Sequence, residues 1–393
     1  MSDWRIPLSD LDYGADEEAA VARVLKSRWL SMGPEVQAFE REFSMALGVK
    51  HAIAVANGTA ALHLSSLALG FGPGDEVVQP AINFVAAANT TVAVGATPVF
   101  ADIVGVDEPT LDPEDFERQI TPRTKAVIVM HYGGYLCRMS EILEIARRRG
   151  LAVIEDACHA VGARYLDPQG RPPHGQMAGS LGDIAAFSFF SNKNLAVGEG
   201  GIVTTNRDDL AERVRLYRSH GMTTLTWDRH KGHASSYEVA LHGFNYRLDE
   251  LRAALGRAQL EKLAKNNALR MRHVSAYRRH LQSWPGWAVP FANYRGDGAY
   301  HLMVVVLPDE DVRARGAAAL REAGIQTSMH YPCIPDFEAF RRFQVSGLER
   351  SRSFATRAMT LPLFPHMLPS HVEAICSRLQ ANETTCHAHG SQR

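Results

Sequence analysis

The sequence predicts an α/β fold: a large domain on a mainly parallel, seven-stranded sheet, followed by a smaller α+β domain. Three observations carry this. Seven apolar runs of strand length recur between His51 and Asn206. They are continuous rather than alternating, as in strands buried on both faces. Helical patterns separate most of them, which calls for parallel pairing under crossover helices.

The runs are His51–Asn57, Glu76–Pro80, Pro98–Ile103, Ala126–Tyr132, Ala152–Ala157, Ile184–Phe189 and Ile202–Asn206. Between them, Thr59–Leu69, Phe84–Val94, Met139–Arg149 and Asp208–Ser219 read as helices. The last strand follows its neighbour after a loop too short for a parallel crossover, which favours antiparallel pairing. After Asn206 the texture changes. Leu248 to Gln282 reads as one long helix, with Leu248, Leu251, Leu255, Leu260 and Leu263 near helical spacing. A strand "HLMVVVL", a helix near Val312–Ala323 and a closing helix near Ser370–Leu379 complete the smaller domain. The expected divisions are an N-terminal arm and large domain over 1–250, the small domain over 251–380, and a mobile polar tail over 381–393.

Bulk properties exclude several classes. The 393 residues, 46% hydrophobic, suffice for such cores. Lys+Arg number 42 and Asp+Glu 43, so no basic face for nucleic acid and no polybasic membrane segment is expected. Five scattered cysteines point to reduced thiols in the cytoplasm rather than a disulfide frame. The start, "MSDWRIPLSDLDYG", lacks the basic and apolar regions of a secretory signal. No stretch is long and apolar enough to span a bilayer. The 17 histidines are scattered, so no metal site is expected.

In open parallel sheets, ligands bind outside the carboxyl ends of the strands. After the first run, "NGTAALHL" places Gly58 and Thr59 at a helix start, whose free N–H groups suit an anion. After the second, "PAINFVAAA" brings Phe84 to the same edge. The fifth ends in "IEDACHA", with Glu155, Asp156 and His159. Adjacent strand residues face opposite sides, so Glu155 and Asp156 are not a working pair. The sixth leads through Ser188 to Lys193, between two asparagines and ahead of Gly198, Gly200 and Gly201. Each residue alone has a bland reading, as helix start, cap, core aromatic or surface lysine. Their succession along one edge suits pyridoxal phosphate. Its aldehyde needs an amine, its ring nitrogen a carboxylate, its phosphate backbone donors and hydroxyls, and its ring an aromatic neighbour.

At this point the chain resembles the DegT/DnrJ/EryC-type, pyridoxal-phosphate-dependent nucleotide-sugar aminotransferases of fold type I. The resemblance spans about residues 5 to 380. It is carried by "VIEDACHAVGARY", "GDIAAFSFFSNKNLAVGEGGIVTTN", "RSHGM", "GFNYRLDELRAALGRAQL", "GIQTSMHYPCI" and "LPLFPHM", all in order. It implies Lys193 as the Schiff-base lysine and proton shuttle, and Asp156 as the partner of the pyridine nitrogen. His159 would lie near the ring, Phe84 would stack on it, and Gly58, Thr59 and Ser188 would hold the phosphate. Asn245, in "GFNYR", would reach that phosphate from a neighbouring subunit, implying a homodimer with shared active sites. His330 and Tyr331, in "MHYP", and the loop Ser27–Pro34 would lie near substrate. L-glutamate is the implied amino donor and a nucleotide-linked keto sugar the acceptor. "FSFFSNKNLAVGEGG" is most similar to 4-aminotransferases acting on TDP-4-keto-6-deoxyglucose; 3-keto sugars and keto-cyclitols are the alternatives.

Three rival readings fit the sequence less well. The 3-dehydrase branch of the family carries histidine where Lys193 stands. A hydrolase would need the serine of "AGSLG", Ala178–Gly182, between a strand and a helix. Instead a Pro/Gly-rich loop precedes it and a strand follows. A silent binding protein of the same fold would not need both Lys193 and Asp156.

Overall fold

A computed structural model of the chain describes residues 4–224, 236–281, 284–343 and 346–390. Two helices, α1 (Ala15–Ser27) and α2 (Pro34–Leu47), precede the first strand, β1 (His51–Val55). There follow α3 (Gly58–Leu69), β2 (Glu76–Pro80), α4 (Ala86–Ala93) and β3 (Thr97–Ala101). A small hairpin, β4 (Ile103–Gly105) and β5 (Glu108–Leu111), leads to α5 (Pro113–Arg118). The sheet continues with β6 (Thr124–Met130), α6 (Met139–Arg149), β7 (Ala152–Asp156), β8 (Ile184–Ser188), β9 (Gly201–Thr205) and α7 (Asp208–Arg218). The long helix α8 (Glu250–Leu281) precedes β10 (Met303–Val306), α9 (Glu310–Glu322), α10 (Glu349–Arg357), β11 (Ala358–Leu361) and α11 (Pro369–Gly390).

The seven expected runs form one sheet in the order β1-β9-β8-β7-β6-β2-β3. Every pair is parallel except the two made by β9, which runs against both β8 and β1. The strands are buried on both faces, and alternate residues serve opposite cores. Ile53, Val55, Ile184 and Ala186 pack with α3 and α7. Ala52, Ala54, Ala185 and Phe187 pack with Phe39 and Phe43 of α2. Burial of the isoleucine, valine and phenylalanine side chains contributes roughly 1.5–3 kcal/mol each.

The small domain pairs β10 with β11 antiparallel, covered by α9 and α11. The long helix α8 runs through both regions. Leu263, in its middle, packs with α2 and the sheet, while Val274, Tyr277 and Leu281 pack in the small domain. Ile6 in the arm bridges Ile325, tying the start of the chain to the small domain.

Some boundaries differ from expectation. The helix expected from Phe84 begins at Ala86, leaving Phe84 in the preceding loop. The segment expected as a tail continues α11 as far as Gly390, while 391–393, and Gln282 of the expected long helix, lie outside the described residues. Among the described residues no helix is long and apolar enough to cross a membrane.

Candidate active site

The carboxyl ends of β1, β2, β6, β7 and β8 open onto one cavity of about 420 Å³. Gly58, Thr59, Phe84, Asp156, His159, Ser188, Lys193, His330 and Tyr331 all line it. Asn245 does not. It is exposed and bridges Ser219 on the neighbouring segment. The loop Ser27–Pro34 is also outside the lining. Its end is held by Glu250, whose carboxylate accepts bonds from the N–H groups of Gly33, Glu35 and Val36.

The antiparallel β9 explains the position of Lys193. Chain leaving β8 must reverse at the carboxyl edge to enter β9, so the connection, residues 189 to 200, stays there. Lys193 N–H donates to Phe190 O at 2.8 Å, and Phe189 N–H donates to Gly200 O at 2.8 Å. Gly198 sits at φ +89°, where a side chain would be strained. Burial lowers the lysine pKa from its ordinary value, against the opposing pull of Cys158 and Asp156.

The phosphate-sized end is built on the start of α3. Asn57 caps the helix, its side chain accepting from Ala60 N–H at 2.8 Å. The first-turn N–H groups have no intrahelical acceptor. A Cβ at Gly58 would lie 2.7 Å from Ser188 Cβ and 3.3 Å from Cys158 Sγ, so glycine is what lets the helix start approach the strand end. Thr59 is exposed toward the opening.

Asp156, 4% exposed, ends β7. Asn83 Nδ2 donates to its Oδ2 at 3.2 Å, and Cys158 N–H to its Oδ1 at 3.3 Å. Phe84 is 54% exposed despite its bulk, a ring facing the cavity rather than the core reading open to it alone. Its centroid lies 6.0 Å from that of Tyr331.

His159 is buried, and its bonds assign its tautomer. Gly133 N–H donates to Nδ1 at 3.4 Å, so the ring proton sits on Nε2. Nε2 then donates to the Tyr331 hydroxyl at 2.9 Å, which keeps that O–H free to donate elsewhere. Burial, with Lys193 and His330 nearby, holds His159 well below the ordinary histidine value. Burial first, then Lys193, pushes His330 down to about 4. Burial pushes Tyr331 well above its usual value. These three are therefore neutral near pH 7.

Sequence reasoning missed Asn83, Cys158, Phe190, Asn192 and Glu199, which also line the cavity. Asn192 flanks the lysine, and its Oδ1 is buried without a partner among the described residues. A polar residue just past a strand end was the available signal for Asn83 and Asn192. The hydrolase reading of Ala178–Gly182 fails on geometry. Ser180 Oγ donates to Met177 O at 2.7 Å, and the N–H groups of Gly179, Leu181 and Gly182 all bond Glu155.

A lysine amine, a carboxylate, an exposed ring and a helix start with hydroxyls around one cavity fit pyridoxal phosphate group by group. The comparisons agree. The model of the DegT/DnrJ/EryC1/StrS aminotransferase family matches residues 12–380. The spore coat polysaccharide biosynthesis protein SpsC of Bacillus subtilis is 40% identical over 380 residues, 94% of this chain and 95% of that protein. The solved aminotransferase TlmJ of Streptoalloteichus hindustanus superposes with a TM-score of 0.88 at 32% identity, covering 97% of this chain and 99% of the other. DesV of S. venezuelae does so with 0.83 at 35%, covering 93% of each. With the family model matched over residues 12–380 and a lysine, a carboxylate, an exposed ring and a helix start gathered at one sheet edge, this chain belongs to the DegT/DnrJ/EryC1/StrS aminotransferases and is a pyridoxal-phosphate-dependent sugar transaminase.

Proposed function

We propose that the chain moves the amino group of L-glutamate to a nucleotide-linked keto sugar, TDP-4-keto-6-deoxyglucose, working as a homodimer in the cytoplasm. The observation that carries the site assignment is that Lys193 and Asp156 line the same cavity as the start of α3. Pyridoxal phosphate, when bound, supplies an aldehyde that accepts amines and a ring that withdraws electrons from them.

The chain's own residues do the rest. Lys193 would hold the cofactor and, as a free amine, would take the substrate's α-proton and return it. An amine does this only when neutral, and desolvation moves Lys193 in that direction. Asp156 would pair with the protonated ring nitrogen and so hold the ring in its electron-withdrawing form. Gly58, Thr59 and Ser188 hold the phosphate, and Asn245, exposed on its own chain, completes that contact in the partner subunit. Phe84 would stack on the ring, and His159 would lie near it. Neutral His330 and Tyr331 stand where a sugar would enter, and Tyr331 has an O–H to give to a sugar oxygen. In this reading the large domain is 1–250 and the small domain 251–380.

Visible absorbance of the half-reactions tests this. Protein loaded with pyridoxal phosphate is expected to be yellow, to bleach with L-glutamate, and to regain colour with TDP-4-keto-6-deoxyglucose while an aminated sugar nucleotide forms. Bleaching without recovery would discard this sugar in favour of a 3-keto sugar or keto-cyclitol. A protein that never turns yellow would discard the role of Lys193. Mixing Lys193→Ala chains with Asn245→Ala chains is expected to restore activity that neither has alone; no restoration would discard the shared site.

A further inference from the structure

Lys193 stands between two asparagines, and only the cavity explains Asn192. Asn194 points the other way. It is 6% exposed and sits in a closed buried network with Asn267 of α8 (8%) and His301 (5%), just before β10. Asn194 Nδ2 donates to Asn267 Oδ1 at 2.8 Å and to Ala299 O at 2.6 Å. Its Oδ1 meets His301 Nδ1 at 3.0 Å. Asn267 Nδ2 in turn donates to Val161 O at 3.0 Å.

The direction of every bond follows from the two backbone carbonyls. Val161 O accepts only, so Asn267 must present its NH2 there and its oxygen to Asn194. Ala299 O likewise accepts only, so Asn194 must present its NH2 to Ala299 and Asn267 together, leaving Oδ1 for His301. A carboxamide oxygen cannot donate, so His301 carries its proton on Nδ1. Flipping either amide would set acceptor against acceptor in a buried site. Room for the network is made at Gly162, at φ +85°, where a Cβ would lie 2.8 Å from Asn267 Nδ2. The network thus joins the residue after Lys193 to α8, to the segment entering β10 and to the turn after His159. The His301 ring lies 4.3 Å from that of His159.

We infer that Asn194, held by Asn267 and His301, is a positioning residue that fixes where Lys193 presents its amine. The end of the reversal between β8 and β9 is anchored by the buried Leu195, Ala196 and Val197 and by the Tyr13 hydroxyl, which donates to Ala196 O at 2.7 Å; next to Lys193 itself the side-chain anchor is Asn194. The one backbone bond made by Lys193 N–H sets the turn but not its tilt against the small domain. Asn194 supplies that second constraint, through partners that all lie beyond residue 250: Asn267, Ala299 and His301. The inference rests on the proposed role of Lys193.

The test is a pH titration of the visible absorbance of the lysine-bound cofactor in holoenzyme, for wild type, Asn194→Ala and Asn267→Ala. The groups facing Lys193 are Asp156 and Cys158 after β7, His159, His301, and His330 from the small domain; all are intact in both variants. Asn194→Ala is expected to move the midpoint by about one pH unit, because a displaced amine changes its burial and its distance to Asp156. It is also expected to slow the glutamate half-reaction about 10- to 100-fold, with glutamate affinity changed less. Asn267→Ala, which leaves Asn194 its bonds to Ala299 and His301, is expected to shift both in the same direction by less. If Asn194→Ala does not fold, Asn267→Ala decides. An unchanged midpoint and rate, with only a lower melting temperature, would overturn the inference and leave the network a structural one. Wild type that never acquires the visible band would instead overturn the role of Lys193.

Discussion

Glu155 and Asp156 are neighbours on β7 and both are buried, 0% and 4% exposed, yet they belong to two different regions. Glu155 faces the interior behind the sheet edge. Its carboxylate takes three backbone N–H groups from the loop 179–182 and faces His131 Nε2 at 2.9 Å. Every lone pair is engaged, and what it holds is a loop. Asp156 faces the cavity, with one side-chain donor, Asn83, and one backbone donor, Cys158. It keeps capacity for a ligand. The pleat sends adjacent residues to opposite faces. The partners then decide which carboxylate is scaffold and which is available.

Substitutions can break this contrast in order of effect. The largest is expected on the cavity side. Lys193→Ala should remove the glutamate half-reaction by at least about 10³-fold, and Asp156→Asn should slow it by about 10²-fold or more, with melting temperature little changed. Glu155→Gln should do the reverse. It weakens charge-assisted bonds to buried amides, each worth about 1.5–3 kcal/mol, so it lowers the melting temperature by several degrees while folded enzyme keeps its rate within about threefold. Single-turnover absorbance and thermal melts check both. If Glu155→Gln slowed the chemistry as much as Asp156→Asn at unchanged stability, the division between the two faces would be wrong.

The smallest effect sharpens the same picture. The cavity-side histidines are kept neutral by burial. His330 titrates at about 4 in the fold against about 6.5 when unfolded. Between these values the unfolded chain binds more protons, so this contribution to stability is full above about pH 6.5 and is lost as pH falls toward 4. His159 and His301 act in the same direction. His330→Asn is expected to lose fewer degrees of melting temperature between pH 7 and pH 4.5 than wild type. An equal loss would show that His330 is already charged or solvated in the fold.

The sheet was legible because its signals are local. A strand buried on both faces needs a continuous apolar run, and such a run can be read one residue at a time. A loop too short for a crossover determines an antiparallel neighbour, and with it the edge on which Lys193 lies. The same pleat rule separated Asp156 from Glu155, and the glycine of "NGTAAL" marked where a helix start closes on a strand. These are consequences of covalent geometry and burial that neighbouring residues already contain.

What the sequence left open depends on partners far along the chain. Tyr331 reaches His159 across 172 residues, and Asn194 meets Asn267 across 73. Such pairs have no periodicity. They exist only once α8 and the segment entering β10 have packed against the sheet, because a hydrogen bond forms within a few tenths of an ångström or not at all. The sequence determined which residues stand at the edge of the sheet. The tertiary structure decided how those residues are held, which tautomer His159 takes, and which of two adjacent carboxylates faces the cavity with bonds to spare.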